Sequence, residues 1–499
     1  MRKSKNPLLG IAACLLALSC LLPFASCGKS DAGKGNKPAN DSGSEEEKEF
    51  SDDLGSFDFG GDTFKVLSVE STAGTYTAFD FAEGEYDTTD HVDSAVYSRN
   101  RVIERRFNIL FESYTEGQSG DKAGYQMCQE RLRTEVNGGG LTGWDLIMLI
   151  NRDAYTAITE DMICLPYELK YIDMSKDYYL QDVNAAMTID GISLMAYSDE
   201  SLYTFERTAC IQFNKTEMDK RGMDDPYTLV RNNEWTYQKM FEMVRDAADS
   251  ETGFYGCSGM ADYAATSYWF GCGQKMMTTN EDNSRMIFSI GTNQVIDEVT
   301  TALLNLAKDG SMELMAWPGG VDGDSKVISS FLNGNALFYN NIVGKIRYFR
   351  DVEWNYGVVP YPKYNAEQDH YYSRVIDAWL HVVPRTCRNY DRASVILEAL
   401  ASGSSQKVFP AYYDKSLEGK YIRNPEDVEM LELIRSHRTF DFADVTWATE
   451  IRNDMLEKVF LNRNVSVSTY GQSMMAYVNN SLVKPLMNKV GELKKQSAS

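Results

Sequence analysis

The chain is 499 residues long, carries a formal charge of -22, and is 43% hydrophobic and 12% aromatic. That length predicts two or three domains with a core apiece, and the acidity argues against nucleic acid as a partner, because such a surface repels phosphate backbones. Nine cysteines without a C-x-x-C pair, beside only four histidines, argue against a metal-ligand framework.

Arg2, Lys3 and Lys5 precede an apolar run, residues 8–24, that ends in Ala25-Ser26-Cys27. This order describes an export signal, and its interruption at Ser19, Cys20 and Pro23 without a stop-transfer pattern favours removal over spanning. The small pair before Cys27 resembles the lipobox of bacterial lipoproteins, which implies a lipidated Cys27 as the first mature residue; simple secretion and an uncleaved anchor are the alternatives. Residues 28–53 are Gly, Ser, Lys, Asn and Glu with almost nothing apolar, and are expected to form a flexible acidic tether.

Folded structure is expected from about Gly61. Residues 64–67 read as a strand, and Asp93 as the cap of a helix whose face carries Val96, Ile103 and Phe107. A strand at 109–111 and a helix from about Tyr125, stopped by Gly138-Gly139-Gly140, come next. Residues 145–150 read as an apolar run opened by Asp145, as in a strand covered on both faces. Such alternation predicts an α/β lobe with a largely parallel sheet, whose ligands lie at the carboxyl ends of strands. That rule singles out Asn151, Arg152, Asp153 and Tyr155. Asp190-Gly191 predicts a hairpin, because both positions of a tight turn need positive φ. Strands are expected at 209–213, 336–339, 356–360 and 378–383, a helix opened by Trp235-Thr236, and an irregular middle region to about Asp324. The remainder reads as helical: 394–400 with Gly403 as stop, a helix capped by Asn424-Pro425, and a last one running into Lys494. Cys164 and Cys210 sit in apolar runs that suit buried thiols.

The runs Trp144-Asp145-Leu146-Ile147, Leu165-Pro166-Tyr167, Phe213-Asn214-Lys215, Asp225-Pro226-Tyr227, Glu234-Trp235-Thr236, Phe331-Leu332-Asn333-Gly334 and Tyr356-Gly357-Val358-Val359-Pro360 occur in this order. Together they resemble the extracellular solute-binding proteins of family 1, the lipoprotein receptors of bacterial ABC importers, many of them for carbohydrates. The resemblance implies an α/β, two-lobe periplasmic-binding-protein-like fold of type 2. Each lobe is then a mixed, mostly parallel sheet flanked by helices, and the lobes are joined by strands crossing at 206–214, 338–341 and 384–389. It implies a signal at 1–26, the lipidated cysteine and tether at 27–60, a first lobe at 61–206 that returns at 339–386, and a second lobe at 207–338 completed by 387–499. It also implies capture of a sugar or oligosaccharide between the lobes and delivery to ABC transporter permease subunits. Attachment to the outer face of the cell membrane through lipid alone, a monomeric state, no cofactor and no catalysis complete the expectation.

A sugar presents hydroxyl edges and apolar C–H faces, so its site combines polar side chains with flat aromatic ones. Asn151, Arg152, Asp153 and Glu206 are the polar candidates, and Tyr155, Trp269, Tyr339 and Trp379 the aromatic ones. Each has a plainer reading, Arg152 and Asp153 as a pair at a strand end, Trp269 and Trp379 as core. An exported glycan-active enzyme and a surface glycan-binding adhesin are the rival classes. With 72 Asp and Glu residues, a glycosidase's pair of carboxylates discriminates nothing, and no Gly-x-Ser-x-Gly or His-Glu-x-x-His motif occurs.

Overall fold

The computed structural model describes residues 50–70, 91–117, 119, 122–315, 322–418 and 421–498. The expected signal, Cys27 and most of the tether lie outside the described residues. Among the described residues, two larger sheets are built from nine strands: β1 (Asp62–Val69), β2 (Ile109–Glu116), β3 (Leu146–Ile150), β4 (Ala209–Asn214), β5 (Tyr255–Met260), β6 (Met312–Met315), β7 (Ala336–Ile342), β8 (Tyr356–Val359) and β9 (Trp379–Val382). The first sheet runs β9-β3-β1-β2, with β9 alone antiparallel. In the second, β6-β5-β7-β4-β8, the strands β6, β5 and β7 are parallel, and β4 is antiparallel to both β7 and β8.

Local chemistry explains most elements. β3 is Leu-Ile-Met-Leu-Ile because it is an inner strand with apolar cover on both faces. Helix α1 (His91–Phe107) buries Val96, Ile103 and Phe107 on one stripe, and α2 (Gly124–Asn137) gives way at Gly139 and Gly140, both at positive φ. Helix α3 (Asn151–Thr159) begins directly at the end of β3. Asp190 and Gly191 carry φ of 49° and 77° and turn the small hairpin 188–193. Thr236 caps α4 (Tyr237–Ala247) by accepting the Lys239 N–H.

Several expectations fail for physical reasons. The middle region is regular, with β5, α5 (Ala261–Gly271) and α6 (Gln294–Asp309). Its two glycines disguised β5, yet a Cβ at Gly256 would lie 1.8 Å from the Val244 carbonyl oxygen, so the glycine allows a close backbone approach. Gly403 does not stop α7 (Tyr390–Gly403), which runs on with helical φ and ψ into residues 404–418. A Cβ there would meet the Phe50 ring at 2.7 Å, so this glycine serves packing and not termination. The lobe boundaries also move: β7 and β8 pair with β4, so residues 336–359 belong to the second sheet, and α7 packs with Phe64, Val66 and Leu146 in the first lobe.

The lobes are joined where Thr208 bridges Val375, with Ile376 N–H donating to Arg207 O at 3.0 Å and Val343 N–H to Thr208 O at 2.9 Å. A third segment, Arg438–Thr439, lies parallel to Ser373–Arg374, and α8 (Phe442–Thr446) follows it. The expected crossing at 384–389 is displaced to 373–378, since Pro384 already pairs with Ile163 inside the first lobe. All six cysteines among the described residues are free and buried.

Candidate functional site

The register fixes which strand ends meet. β3 ends at Ile150 opposite Trp379, the first residue of β9, so the carboxyl edge of the first sheet carries the start of α3 and Trp379. In the second sheet β7 ends at Ile342 opposite Ala209, the first residue of β4, and β5 ends nearby at Met260, where α5 starts. The joining segments therefore connect carboxyl edge to carboxyl edge, the places where open α/β sheets bind ligands.

A mixed aromatic and charged array lies along this junction. The Arg152 guanidinium stands 4.8 Å over the Tyr125 ring. Tyr125 meets Trp379 edge-on at 6.2 Å between centroids, and Trp379 meets Tyr203 at 5.1 Å. Arg207 is hydrogen-bonded to Asp377 and stands 5.9 Å over Tyr263 of α5, which links the hinge to the second lobe. Burial would raise the Asp377 carboxyl, but Arg207, with Arg452 and Arg374 beyond it, outweighs burial and holds it below the usual carboxylate range. Among the described residues, the buried Trp379 Nε1 and Arg207 Nε have no hydrogen-bond partner. The array thus offers oriented donors, an ionised acceptor and apolar rings within one short stretch.

Arg152 and Trp379 belong to this array, Asp153 pairs with Arg152 at its edge, and the other sequence candidates lie elsewhere. Asn151 is wholly buried, donating to Tyr197 Oη at 2.6 Å and accepting from Thr446 Oγ1 at 2.7 Å, so it locks α3 to α8. Asp153 sits 3.5 Å from Arg152, and burial raises its carboxyl more than that arginine lowers it. Tyr155 packs edge-on against Phe442 and Trp447, and burial pushes its hydroxyl up to about 12. Glu206 is fully buried, bonded to Arg347 and not to the Arg207–Asp377 pair, beside a cavity of about 230 Å³. Trp269 and Tyr339 are corrections, since both are core residues of the second lobe. Trp269 donates to Thr300 Oγ1 at 2.9 Å, and Tyr339 stacks on Phe331. Tyr125, Tyr203, Arg207, Tyr263 and Asp377 were missed. A signal existed: Arg207 and Asp377 each stand two residues before a strand that leaves the hinge.

A family model described as bacterial extracellular solute-binding protein matches residues 121–412. A cyclo/maltodextrin-binding protein complexed with maltotetraose is 13% identical, with a TM-score of 0.55 over 85% of this chain and 98% of its own. The extracellular solute-binding protein from Staphylococcus aureus, in complex with maltose, is 12% identical, with a TM-score of 0.55 over 84% of this chain and 97% of its own. An ABC substrate-binding protein from Listeria monocytogenes, in complex with cycloalternan, is 15% identical, with a TM-score of 0.51 over 85% and 99%. At these identities the likeness is one of fold, two α/β lobes with crossing strands. No curated protein matches the chain.

Proposed function

The chain belongs to the family of bacterial extracellular solute-binding proteins, and from that premise we propose that its solute is a sugar or oligosaccharide, bound between the lobes and passed to an ABC importer's permease. An extracytoplasmic location follows from the membership. The observation that carries the ligand class is the array at the facing sheet edges. Tyr125 and Trp379 supply flat surfaces for sugar C–H faces, while Arg152, Arg207 and Asp377 supply hydroxyl partners. A hydroxyl is also the natural partner for the Trp379 Nε1 and Arg207 Nε donors. Structural relatives bound to maltotetraose, maltose and cycloalternan support the same reading. Asn151, Asp153 and Tyr155 hold the first-lobe wall in shape, and the crossing strands at 206–209 and 373–378 serve as the hinge on which the lobes part and close.

A binding role without catalysis, and a lipid on Cys27 that leaves the body on a tether, complete the proposal. A glycan array followed by calorimetry on the hit tests it. One saturable, unchanged ligand supports the receptor; a hydrolysed product would make the chain an enzyme, and binding to polymer alone would make it an adhesin. Labelling with a fatty-acid analogue tests the anchor, and equal labelling of wild type and Cys27→Ala would remove it.

A further inference from the structure

Apart from the interlobe array, a cavity of about 410 Å³ opens where Asp177, residues 179–181 and Asp199 of the first lobe meet Ser405, Arg435, Ser436 and Arg438. That volume lies within the range of small-molecule sites. Asp199, only 1% exposed, takes one guanidinium on each oxygen: Arg435 Nη2 donates to Oδ2 at 2.6 Å and Arg438 Nη2 donates to Oδ1. Burial alone would raise this carboxyl, but Arg438 and Arg435 outweigh it and keep it ionised below the usual range. Arg435 Nη2 also donates to Ser405 Oγ at 2.8 Å, and Arg438 Nε donates to Arg435 O at 2.9 Å. Phe409 lies 4.1 Å from the Arg435 guanidinium and 5.9 Å from that of Arg438, which fixes both groups from one side.

The hydrogen bonds do not use up these groups. Arg438 is 5% exposed, and its Nη1, like Arg435 Nε, is buried without a hydrogen-bond partner among the described residues. Asp199 is the one buried carboxylate that the two guanidinium groups share, and Glu432 also pairs with Arg435, so unmade hydrogen bonds and not a surplus of positive charge mark the site. The other acids nearby are Asp177, exposed in the cavity lining, and Glu432, whose Oε2 is 3.5 Å from Arg435 Nη1 and whose side chain is 44% exposed. Orphaned donors on paired arginines are the chemistry that recognises planar or tetrahedral oxyanions.

We propose that this cavity is a second ligand site, for a small oxyanion (a phosphate or a carboxylate) held by Arg435, Arg438 and Ser405. Its position gives it a consequence for the hinge. Arg438 opens the short strand that runs beside Ser373–Arg374, the segment leading to Asp377, so an anion bound there braces a strand that joins the lobes.

Calorimetric titration of the full chain with sodium phosphate and, separately, sodium acetate, each against sodium chloride at matched ionic strength, tests the site. Saturable phosphate binding is expected, and saturation by acetate alone would assign the site to carboxylates. Arg438→Lys keeps the charge but not the fork and weakens binding at least tenfold; Ser405→Ala, which leaves the Asp199 pairs intact, weakens it severalfold. Heats reproduced by chloride, an unchanged response in Ser405→Ala and Arg438→Lys, or loss of phosphate binding in Arg152→Ala would each overturn the proposal.

Discussion

Replacing Asp441 by asparagine should change how stability depends on pH, in a direction fixed by the structure. Asp441 is fully buried at the start of α8, where Oδ1 accepts the Asp444 N–H at 3.0 Å and Oδ2 accepts the Met277 N–H, from the second lobe, at 2.6 Å. Burial lifts its carboxyl from the ordinary 3.8 to about 7; the Asp444 charge adds to the rise, while the two backbone donors and Lys275 oppose it. The folded chain therefore keeps this proton up to about pH 7, whereas the unfolded chain releases it near pH 4. Between those values the native state binds more protons, so this group's contribution to stability is fully present below about pH 4 and is lost as pH rises to about 7. At ~1.4 kcal/mol per pH unit the loss totals roughly 4 kcal/mol. An asparagine side chain at this position cannot ionise and keeps an acceptor for one of the two N–H groups. Urea unfolding of wild type and Asp441→Asn from about pH 4 to 8 should show the variant gaining on wild type as pH rises, by up to about 4 kcal/mol, then running level above about pH 7. Two curves that stay parallel across that interval would refute the reasoning.

Arg374 and Asp444 form a fully buried pair, Nε to Oδ2 at 2.7 Å and Nη2 to Oδ1 at 2.9 Å. Arg374→Met, which leaves the buried carboxylate only the more distant Arg452 at 3.8 Å, should cost about 3–5 kcal/mol by urea unfolding, and adding Asp444→Leu should recover much of it. Arg152→Ala should lower affinity for the glycan identified on the array by about ten- to a hundredfold, the worth of a charged hydrogen bond at roughly 1.5–3 kcal/mol. Trp379→Ala should also weaken binding, whereas Trp269→Ala should lower the melting temperature and leave affinity in the folded fraction unchanged, as measured by calorimetry. Gly256→Ala drives a methyl into the Val244 carbonyl and should destabilise the second lobe by at least ~1–3 kcal/mol in the same urea assay.

Features set by neighbours in sequence were legible. The apolar run of β3, the Asp190-Gly191 turn and the Thr236 cap each follow from a few adjacent residues. Features set by partners far along the chain were not. The sequence of β7 says it is a buried strand, but its sheet is decided by pairing with β4, more than a hundred residues earlier. The tryptophans divide the same way. Trp269 and Trp379 both stand among apolar neighbours, and only the packing of α6 against one, and the meeting of β3 and β9 at the other, makes the first core and sets the second at the carboxyl edge of its sheet, in the proposed site. Arg207 and Asp377 are 170 residues apart, and neither is distinctive alone. Each stands just ahead of a strand leaving the hinge, while the carboxyl-edge rule points just after strands, at Asn151 to Tyr155. In a two-lobe chain a crossing segment reaches the carboxyl edge of a sheet before its strand begins, so residues preceding antiparallel strands are candidates for the proposed site on the same footing as those following parallel ones. That is the reason the first-lobe wall was partly legible and the hinge charges were not.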